Sequence, residues 1–128
     1  IQEGDSIILD SGSTTTEIAK LLMNYKDLTV ITNALNIALI LGENHGINLI
    51  VTGGEFKAPT LSLTGKMAAD SFKDIRANKV YLVADCSKIG VSAFASLGSV
   101  SLANAIITDS TITEEDFERL KELEVEVI

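Results

Sequence analysis

The stretch "ILDSGSTTTEIAKLL", residues 8–22, decides the fold class of this 128-residue chain. Its first three residues end the apolar run of residues 6–10, which is typical of a strand buried on both faces of a parallel sheet. A glycine turn rich in hydroxyl residues follows. Ile18, Leu21 and Leu22 then recur at the spacing of an amphipathic helix. The stretch therefore predicts a strand, a turn and a helix in direct succession.

The same alternation continues along the chain. Further buried strands are predicted at 28–32, 47–52, 79–85, 105–108 and 125–128, with helices at 34–41, 66–75 and 113–123. We expect Asn33 to cap the second helix and Thr113 to cap the last, facing Asp116 in a capping box. Residues 55–62 hold the one proline of the chain and are either irregular or an edge strand. We expect a single α/β domain over residues 1–128, with a doubly wound, mostly parallel sheet and helices on both faces.

The composition excludes several classes of function. The formal net charge of -8 opposes direct binding of nucleic acid, whose affinity comes mainly from Lys and Arg. One cysteine and one histidine leave no internal disulfide and make a metal site of soft ligands unexpected, so we expect neither metal nor cofactor. No apolar run reaches the roughly 18 residues of a membrane span. The chain does not begin with Met, so we expect it to be part of a longer protein.

Small polar residues follow the ends of the predicted strands, where open α/β sheets bind their ligands. They lie in five places: Asp10–Ser11–Gly12–Ser13–Thr14–Thr15, Thr32–Asn33, Thr52–Gly53–Gly54, Asp85–Cys86–Ser87–Lys88 and Thr108–Asp109–Ser110. The first is the most informative. A strand that runs through a glycine turn into a helix presents free backbone N–H groups and a partial positive charge, which suit a phosphate.

The residues of these loops limit the class of ligand but leave alternatives open for individual roles. No lysine follows Gly12, so the loop is not a nucleotide P-loop, and a small phosphorylated molecule is expected. Alternatively, the hydroxyls only cap the helix. Asp10 holds sugar hydroxyls or bonds its own loop, Asn33 is a ligand contact or a cap, and Gly53 and Gly54 form a turn or approach the ligand. Lys88 supplies positive charge to a phosphate or is simply solvated.

The blocks "ILDSGSTTTEIAKLL", "LTVITNALNIALIL", "INLIVTGGEF", "DCSKIG" and "AIITDSTI" resemble, in that order, the C-terminal sensor domain of DeoR-type bacterial transcriptional regulators. The resemblance implies a fold like that of ribose-phosphate isomerases and CoA transferases. It also implies a cytoplasmic homo-oligomer that binds a phosphorylated sugar as inducer, and a DNA-binding winged helix-turn-helix N-terminal to this chain. By similarity, Gly12, Ser13, Thr14 and Thr15 hold the phosphate. The remaining pocket residues are Asp10, Thr32, Asn33, Gly53, Gly54 and Lys88.

One departure from the family pattern is large. The family has a further strand, an Asp-Gly loop and a helix before the Asp-x-Ser-Lys block, whereas here Val80 runs directly into Tyr81. About 30 residues are therefore missing between positions 80 and 81. Either the chain is naturally shortened, or a loop is left out of the sequence. Loss of a core strand and helix would expose apolar surface, which favours the omitted loop.

The expected function is ligand sensing without catalysis, in which the effector shifts the population of conformations that present the DNA-binding parts. The alternative is an enzyme of the phosphosugar isomerase kind. That chemistry needs a carboxylate base and an acidic or cationic partner, for which Asp10, Glu55, Asp85 and Lys88 are candidates. A third alternative is an oligomerisation module whose pocket has no ligand.

Overall fold

The computed structural model describes residues 1–74, 104–108 and 110–128, together with the backbone of residues 81–83. Within these residues the chain alternates strands and helices. In chain order they are β1 (Ser6–Leu9), α1 (Ser13–Leu21), β2 (Leu28–Thr32), α2 (Leu35–Leu41), β3 (Ile47–Val51), β4 (Glu55–Lys57), β5 (Ser62–Thr64), α3 (Lys66–Lys73), β6 (Tyr81–Val83), β7 (Ala105–Ile107), α4 (Glu114–Glu122) and β8 (Glu126–Val127). A 3-10 turn at Ala58–Thr60 joins β4 to β5.

Parallel strands dominate the architecture. β1, β2 and β3 form one parallel sheet in that order, and β6, β7 and β8 form another. In the first sheet Ile7 is in register with Val30, and Val30 with Leu49. β4 and β5 form a separate antiparallel hairpin. The predicted α/β fold with a parallel sheet is confirmed, whereas the narrower likeness to ribose-phosphate isomerases stays a prediction.

The two parallel sheets meet at β1 and β6. Cα atoms of these two strands approach within 8 Å, yet no hydrogen-bonded ladder joins the sheets within the described residues. Successive strands are added in one direction from β1 to β3, and in the opposite direction from β6 to β8. The reversal at β1 is the kind of switch point at which open α/β sheets bind ligands, beyond the carboxyl ends of their strands.

The main core lies between the first sheet and the helices α1 and α2, which pack against each other. Alternation along β1 turns Ile7 and Leu9 towards this core, and Leu28 and Val30 of β2 do the same. The helices contribute small and branched residues at helical spacing. The other members of the core are Ala19, Leu22, Ala34, Ile37, Leu41 and Ile47. This core fixes the carboxyl ends of β1 and β2 side by side.

Two predictions about helix starts had different outcomes. The α4 cap is confirmed, because Thr113 Oγ1 accepts a hydrogen bond from the backbone N–H of Asp116 at 3.2 Å. The expectation that Asn33 caps α2 is wrong. Ala34 is the N-cap residue and provides no side-chain bond, and its own N–H donates to Thr32 Oγ1 at 3.0 Å. The Asn33 side chain is thereby left for other contacts.

The remaining elements follow the predicted order with small shifts at their ends. Of the two alternatives for residues 55–62, the strand is found: β4 pairs with β5, and the proline lies in the 3-10 turn between them. No helix within the described residues is long and apolar enough to cross a membrane. The described residues likewise contain no cluster of three His, Cys, Asp or Glu side chains that could hold a metal ion.

Candidate functional site

A cavity of about 540 Å³ opens beyond the carboxyl ends of β1 and β2, in the size range of small-molecule sites. Three parts of the chain surround it: the loop that leads into α1, the start of α2 and the turn of the β4–β5 hairpin. Most of the side chains in its wall carry a hydroxyl or an amide. The described residues that line the cavity are Asp10, Ser11, Gly12, Ser13, Thr16, Asn33, Asn36, Pro59, Thr60, Leu61, Ser62 and Thr64.

The start of α1 borders this cavity through Gly12 and Ser13. Gly12 is the N-cap residue with an extended backbone, and no side chain caps the helix. The first intrahelical bond runs from Thr16 N to Gly12 O at 3.0 Å. The N–H groups of Ser13, Thr14 and Thr15 have no acceptor among the described residues. Free N–H groups at the positive end of a nine-residue helix are an arrangement that suits an anion.

The hydroxyls of the loop do not cap the helix. Thr15 is buried, and its Oγ1 lies 2.5 Å from Asp10 O and 3.1 Å from Gly12 O, so the hydroxyl donates to backbone carbonyls. Thr16 Oγ1 donates to Gly12 O at 2.6 Å. These bonds fold the loop back on the helix start. Plain capping, one of the two alternatives left by the sequence, is therefore not what this run of hydroxyls does.

Asp10 closes its own loop. Its Oδ1 accepts from the backbone N–H of Ser11 at 2.6 Å and lies 3.3 Å from Ser11 Oγ. This is the self-bonding role that the sequence allowed for an aspartate in a turn. The carboxylate also borders the cavity. A negative charge at that position repels a second anionic group on a ligand and favours hydrogen-bond donors.

Asn33 is the most unusual group in the wall. The residue is 5% exposed, and its Nδ2 donates to Leu63 O at 3.3 Å. Because only the amide nitrogen can donate to that carbonyl, the position of Oδ1 is fixed as well. Oδ1 is buried and has no hydrogen-bond partner within the described part of the chain. A buried acceptor without a donor costs free energy, so Asn33 Oδ1 is suited to accept a bond from a ligand.

The hairpin is attached to the sheet through the same residue. Leu63 N donates to Asn33 O at 2.8 Å, and Leu35 N donates to Leu61 O at 2.9 Å. These bonds place the 3-10 turn at the cavity. There, Thr60 Oγ1 and Ser62 Oγ lie 2.6 Å apart. The hairpin therefore contributes a pair of hydroxyls to the cavity, close to the end of β2.

Four of the ten residues expected in the site line the cavity: Asp10, Gly12, Ser13 and Asn33. Thr14 and Thr15 do not, although their N–H groups belong to the free helix start. Thr32 is fully buried and its hydroxyl accepts from Ala34 N. Lys88, together with the rest of the Asp85–Lys88 block, lies outside the described residues.

The glycine pair that follows β3 also does not line the cavity, and packing explains one of the two residues. A Cβ atom on Gly54, whose φ is +138°, would lie 2.6 Å from the backbone oxygen of Thr64. Gly54 therefore allows the chain to pack closely where it enters the hairpin, without a ligand. A Cβ atom on Gly53 would contact only the side chain of Met67, which is exposed and can move aside.

Sequence reasoning missed the residues that come from elsewhere in the chain. Thr16 continues the hydroxyl run and could have been included on that ground. Asn36 lies one helical turn from Asn33, and its Nδ2 donates to Thr16 Oγ1 at 2.9 Å. The hairpin residues Thr60 and Ser62 gave no signal, since strands of three residues carry little periodicity.

The marked pKa shifts within the described residues belong to ion pairs on the surface. The hydrogen bond from Lys57 and its positive charge lower the pKa of Glu55. Hydrogen bonds from Lys66 and Lys73 lower the pKa of Asp70, and the same contact raises the pKa of Lys66. None of these side chains lines the cavity. Of the described lining residues, only Asp10 carries an ionisable acid or base, so the positive potential there comes from the start of α1.

Comparison with known proteins finds relatives that are named as repressors. The chain is 38% identical over 85 residues to a putative aga operon transcriptional repressor of Escherichia coli O157:H7, covering 66% of this chain and 32% of that protein. It is 34% identical to the lactose phosphotransferase system repressor of Lactococcus lactis subsp. lactis, over 66% of this chain and 34% of the repressor. It is 25% identical to the glycerol-3-phosphate regulon repressor of Escherichia coli K12, over 86% of this chain and 57% of the repressor.

The chain spans between about a third and three fifths of the length of these curated relatives. All three are named as repressors. The family model "DeoR C terminal sensor domain" matches residues 1–80, which is more than half of the chain. The resemblance drawn from the sequence blocks is confirmed: this chain belongs to the DeoR C-terminal sensor domain family.

Proposed function

We propose that this domain binds a phosphorylated sugar as the inducer of a transcriptional repressor of sugar metabolism. One observation carries the proposal: the start of α1, with its free N–H groups, borders a polar cavity through Gly12 and Ser13, and the wall of this cavity also holds a buried acceptor that has no donor among the described residues. The first feature suits a phosphate and the second suits a hydroxyl. A sugar monophosphate carries both groups.

The relatives support the same class of ligand. Two of them are named for a sugar phosphotransferase system and for the glycerol-3-phosphate regulon. We propose by similarity that the present domain belongs to a longer cytoplasmic protein whose DNA-binding part lies outside this chain, and that it acts as a homo-oligomer. The net charge of -8 agrees with a domain that does not itself contact DNA.

Sensing fits the cavity better than catalysis. Isomerisation of a phosphosugar needs a base together with an acid or a cation placed on the other side of the reacting carbons. Among the described lining residues Asp10 alone could act as a base, and its Oδ1 already accepts from Ser11. We therefore propose that the ligand is bound and released unchanged, with its binding energy shifting the protein between conformations.

Thermal unfolding with a panel of ligands tests the proposal. Ribose 5-phosphate, glucose 6-phosphate and glycerol 3-phosphate are compared with the free sugars, each from micromolar to millimolar concentration. At one hundred times its dissociation constant, a ligand of the folded state should raise Tm by roughly 10 °C. Gly12→Val, which places a branched side chain at the mouth of the helix start, should remove the shift. A panel in which no phosphorylated sugar raises Tm above the matching free sugar would contradict the proposal.

A further proposal concerns the junction between Val80 and Tyr81. The alignment with the Escherichia coli K12 repressor extends over 144 residues but includes only 86% of this 128-residue chain, which is about 110 residues. The relative therefore has about 34 positions without a counterpart here. We propose that these positions fall between the two parallel sheets, where β1 and β6 lie together without a ladder. Peptide mass mapping of the natural protein separates the alternatives. A peptide in which Tyr81 follows Val80 directly means a naturally shortened domain, whereas additional residues between the two mean an omitted loop.

A further inference from the structure

The β4–β5 hairpin carries a pair of hydroxyls that neither the family match nor the sequence blocks assign to a role. Thr60 Oγ1 and Ser62 Oγ lie 2.6 Å apart, and both residues line the cavity. Ser62 is 2% exposed, so its hydroxyl is held in one place by the surrounding protein. Thr60 is exposed and forms the outer member of the pair.

The hydrogen-bond inventory of this pair leaves capacity for a ligand. Two hydroxyls hold two O–H donors and four acceptor lone pairs. The bond between them uses one donor and one lone pair. Thr60 Oγ1 also donates to Lys57 O at 3.4 Å, which uses the second donor. The pair is thus left with lone pairs that can accept bonds from the hydroxyl groups of a ligand.

Asn33 Oδ1 adds a fixed acceptor next to the pair. The Ser62 residue forms an isolated antiparallel bridge with Ala34, which brings the hairpin hydroxyls to the chain segment that carries Asn33. The amide is oriented by its bond to Leu63 O, and the oxygen is without a donor among the described residues. One wall of the cavity is therefore rich in acceptors, whereas the start of α1 presents donors.

We infer that Thr60, Ser62 and Asn33 Oδ1 form a second subsite that recognises the hydroxyl groups of the ligand, opposite the phosphate subsite. The inference rests on the proposed function and names its ligand class more narrowly: a monophosphate with several neutral hydroxyls. The acceptor-rich wall disfavours a second phosphate or a carboxylate at the far end.

Calorimetric titration of hairpin variants tests the subsite. The probes are inorganic phosphate, glucose 6-phosphate and its oxidised analogue 6-phosphogluconate, an open-chain sugar acid that carries a carboxylate. Ser62→Ala and Thr60→Val should each lower the affinity for glucose 6-phosphate by about threefold to tenfold, which is the effect of one lost hydrogen bond. Both variants should leave the weaker affinity for inorganic phosphate unchanged. The wild-type domain should bind 6-phosphogluconate more weakly than glucose 6-phosphate.

Matched variants separate binding from folding. Ser71→Ala removes a hydroxyl on α3 that donates within its own helix, to Met67 O at 2.8 Å. This variant should bind all probes with the affinity of the wild type. Thr60 is exposed, so Thr60→Val keeps the test valid if Ser62→Ala does not fold. Wild-type affinity of Thr60→Val and Ser62→Ala for glucose 6-phosphate would overturn the subsite and leave the proposed function standing. Failure of the wild type to bind any sugar phosphate would instead remove the proposed function, and the subsite with it.

Discussion

Asn36 Nδ2 donates a hydrogen bond to Thr16 Oγ1 at 2.9 Å and so joins α2 to the first turn of α1 inside the cavity. Thr16 Oγ1 in turn donates to Gly12 O at 2.6 Å. The chain of bonds runs from one helix, through a hydroxyl, to the backbone of the loop with the free N–H groups. The second helix thereby supports the loop of the proposed phosphate subsite.

Thr16→Val should therefore affect both stability and binding. Loss of this hydroxyl removes two bonds of a partly buried group and should lower the free energy of unfolding by about 1–2 kcal/mol. We also expect weaker binding of inorganic phosphate, because the loop is no longer fixed to α2. Urea unfolding and calorimetric titration measure the two effects.

The matched control is Thr29→Val. Thr29 Oγ1 also accepts from an asparagine amide, that of Asn48 at 3.4 Å, but it lies in the sheet and does not line the cavity. This variant should unfold within about 0.5 kcal/mol of the wild type. It should also bind phosphate normally. Equal loss of phosphate affinity in both variants would refute the positioning role of the Asn36–Thr16 contact.

The two faces of α2 should respond very differently to truncation. Ile37 is fully buried in the core cluster, whereas Leu39, two residues further on, is 77% exposed. Ile37→Ala should lower the free energy of unfolding by about 2–5 kcal/mol through lost burial and a cavity. Leu39→Ala on the same helix should change it by about 0.5 kcal/mol or less. Chemical denaturation of both variants measures the contrast, and similar losses would mean that the core does not lie where the structure places it.

The ion pairs of α3 should give a pH-dependent contribution to stability. Hydrogen bonds from Lys66 and from Lys73 hold the pKa of Asp70 below its usual range. A lowered carboxyl pKa means that the folded state favours the charged form, so the contribution is present above the unfolded pKa of about 4 and is lost as the pH falls through the folded pKa. Since these side chains are solvent-exposed, the effect should be small and should fade with salt.

Asp70→Asn measures this contribution directly. The variant should have a slightly lower Tm than the wild type near neutral pH, and the difference should vanish at a pH of about 2. NMR titration should place the Asp70 pKa below that of a model peptide, and Lys66→Ala should raise it. A Tm difference that stays constant from neutral to acidic pH would show that the charge of Asp70 is not its cause.

Much of the fold could be predicted because it depends on local patterns. Strands β1, β2 and β3 are short apolar runs. The helices α1 and α2, which alternate with these strands, have their buried residues at helical spacing. The capping box of α4 is likewise a local signal. Such features depend on residues within one turn or one strand of each other. For that reason one sequence without any alignment was enough to place them and to indicate an anion site after β1.

What lies across the cavity from that site was decided only by the tertiary structure. By its place in the sequence, Asn33 was either a helix cap or a ligand contact. In the structure its amide nitrogen is bonded to Leu63, thirty residues further along, and its oxygen has no donor within the described part of the chain. Thr60 and Ser62 reach the cavity because the backbone of the hairpin is hydrogen-bonded to the end of β2. The sequence by itself determined the alternation of strands and helices and the hydroxyl-rich helix start. The facing wall required contacts between distant residues, which carry no periodicity in the chain and exist only once the backbone has closed around them.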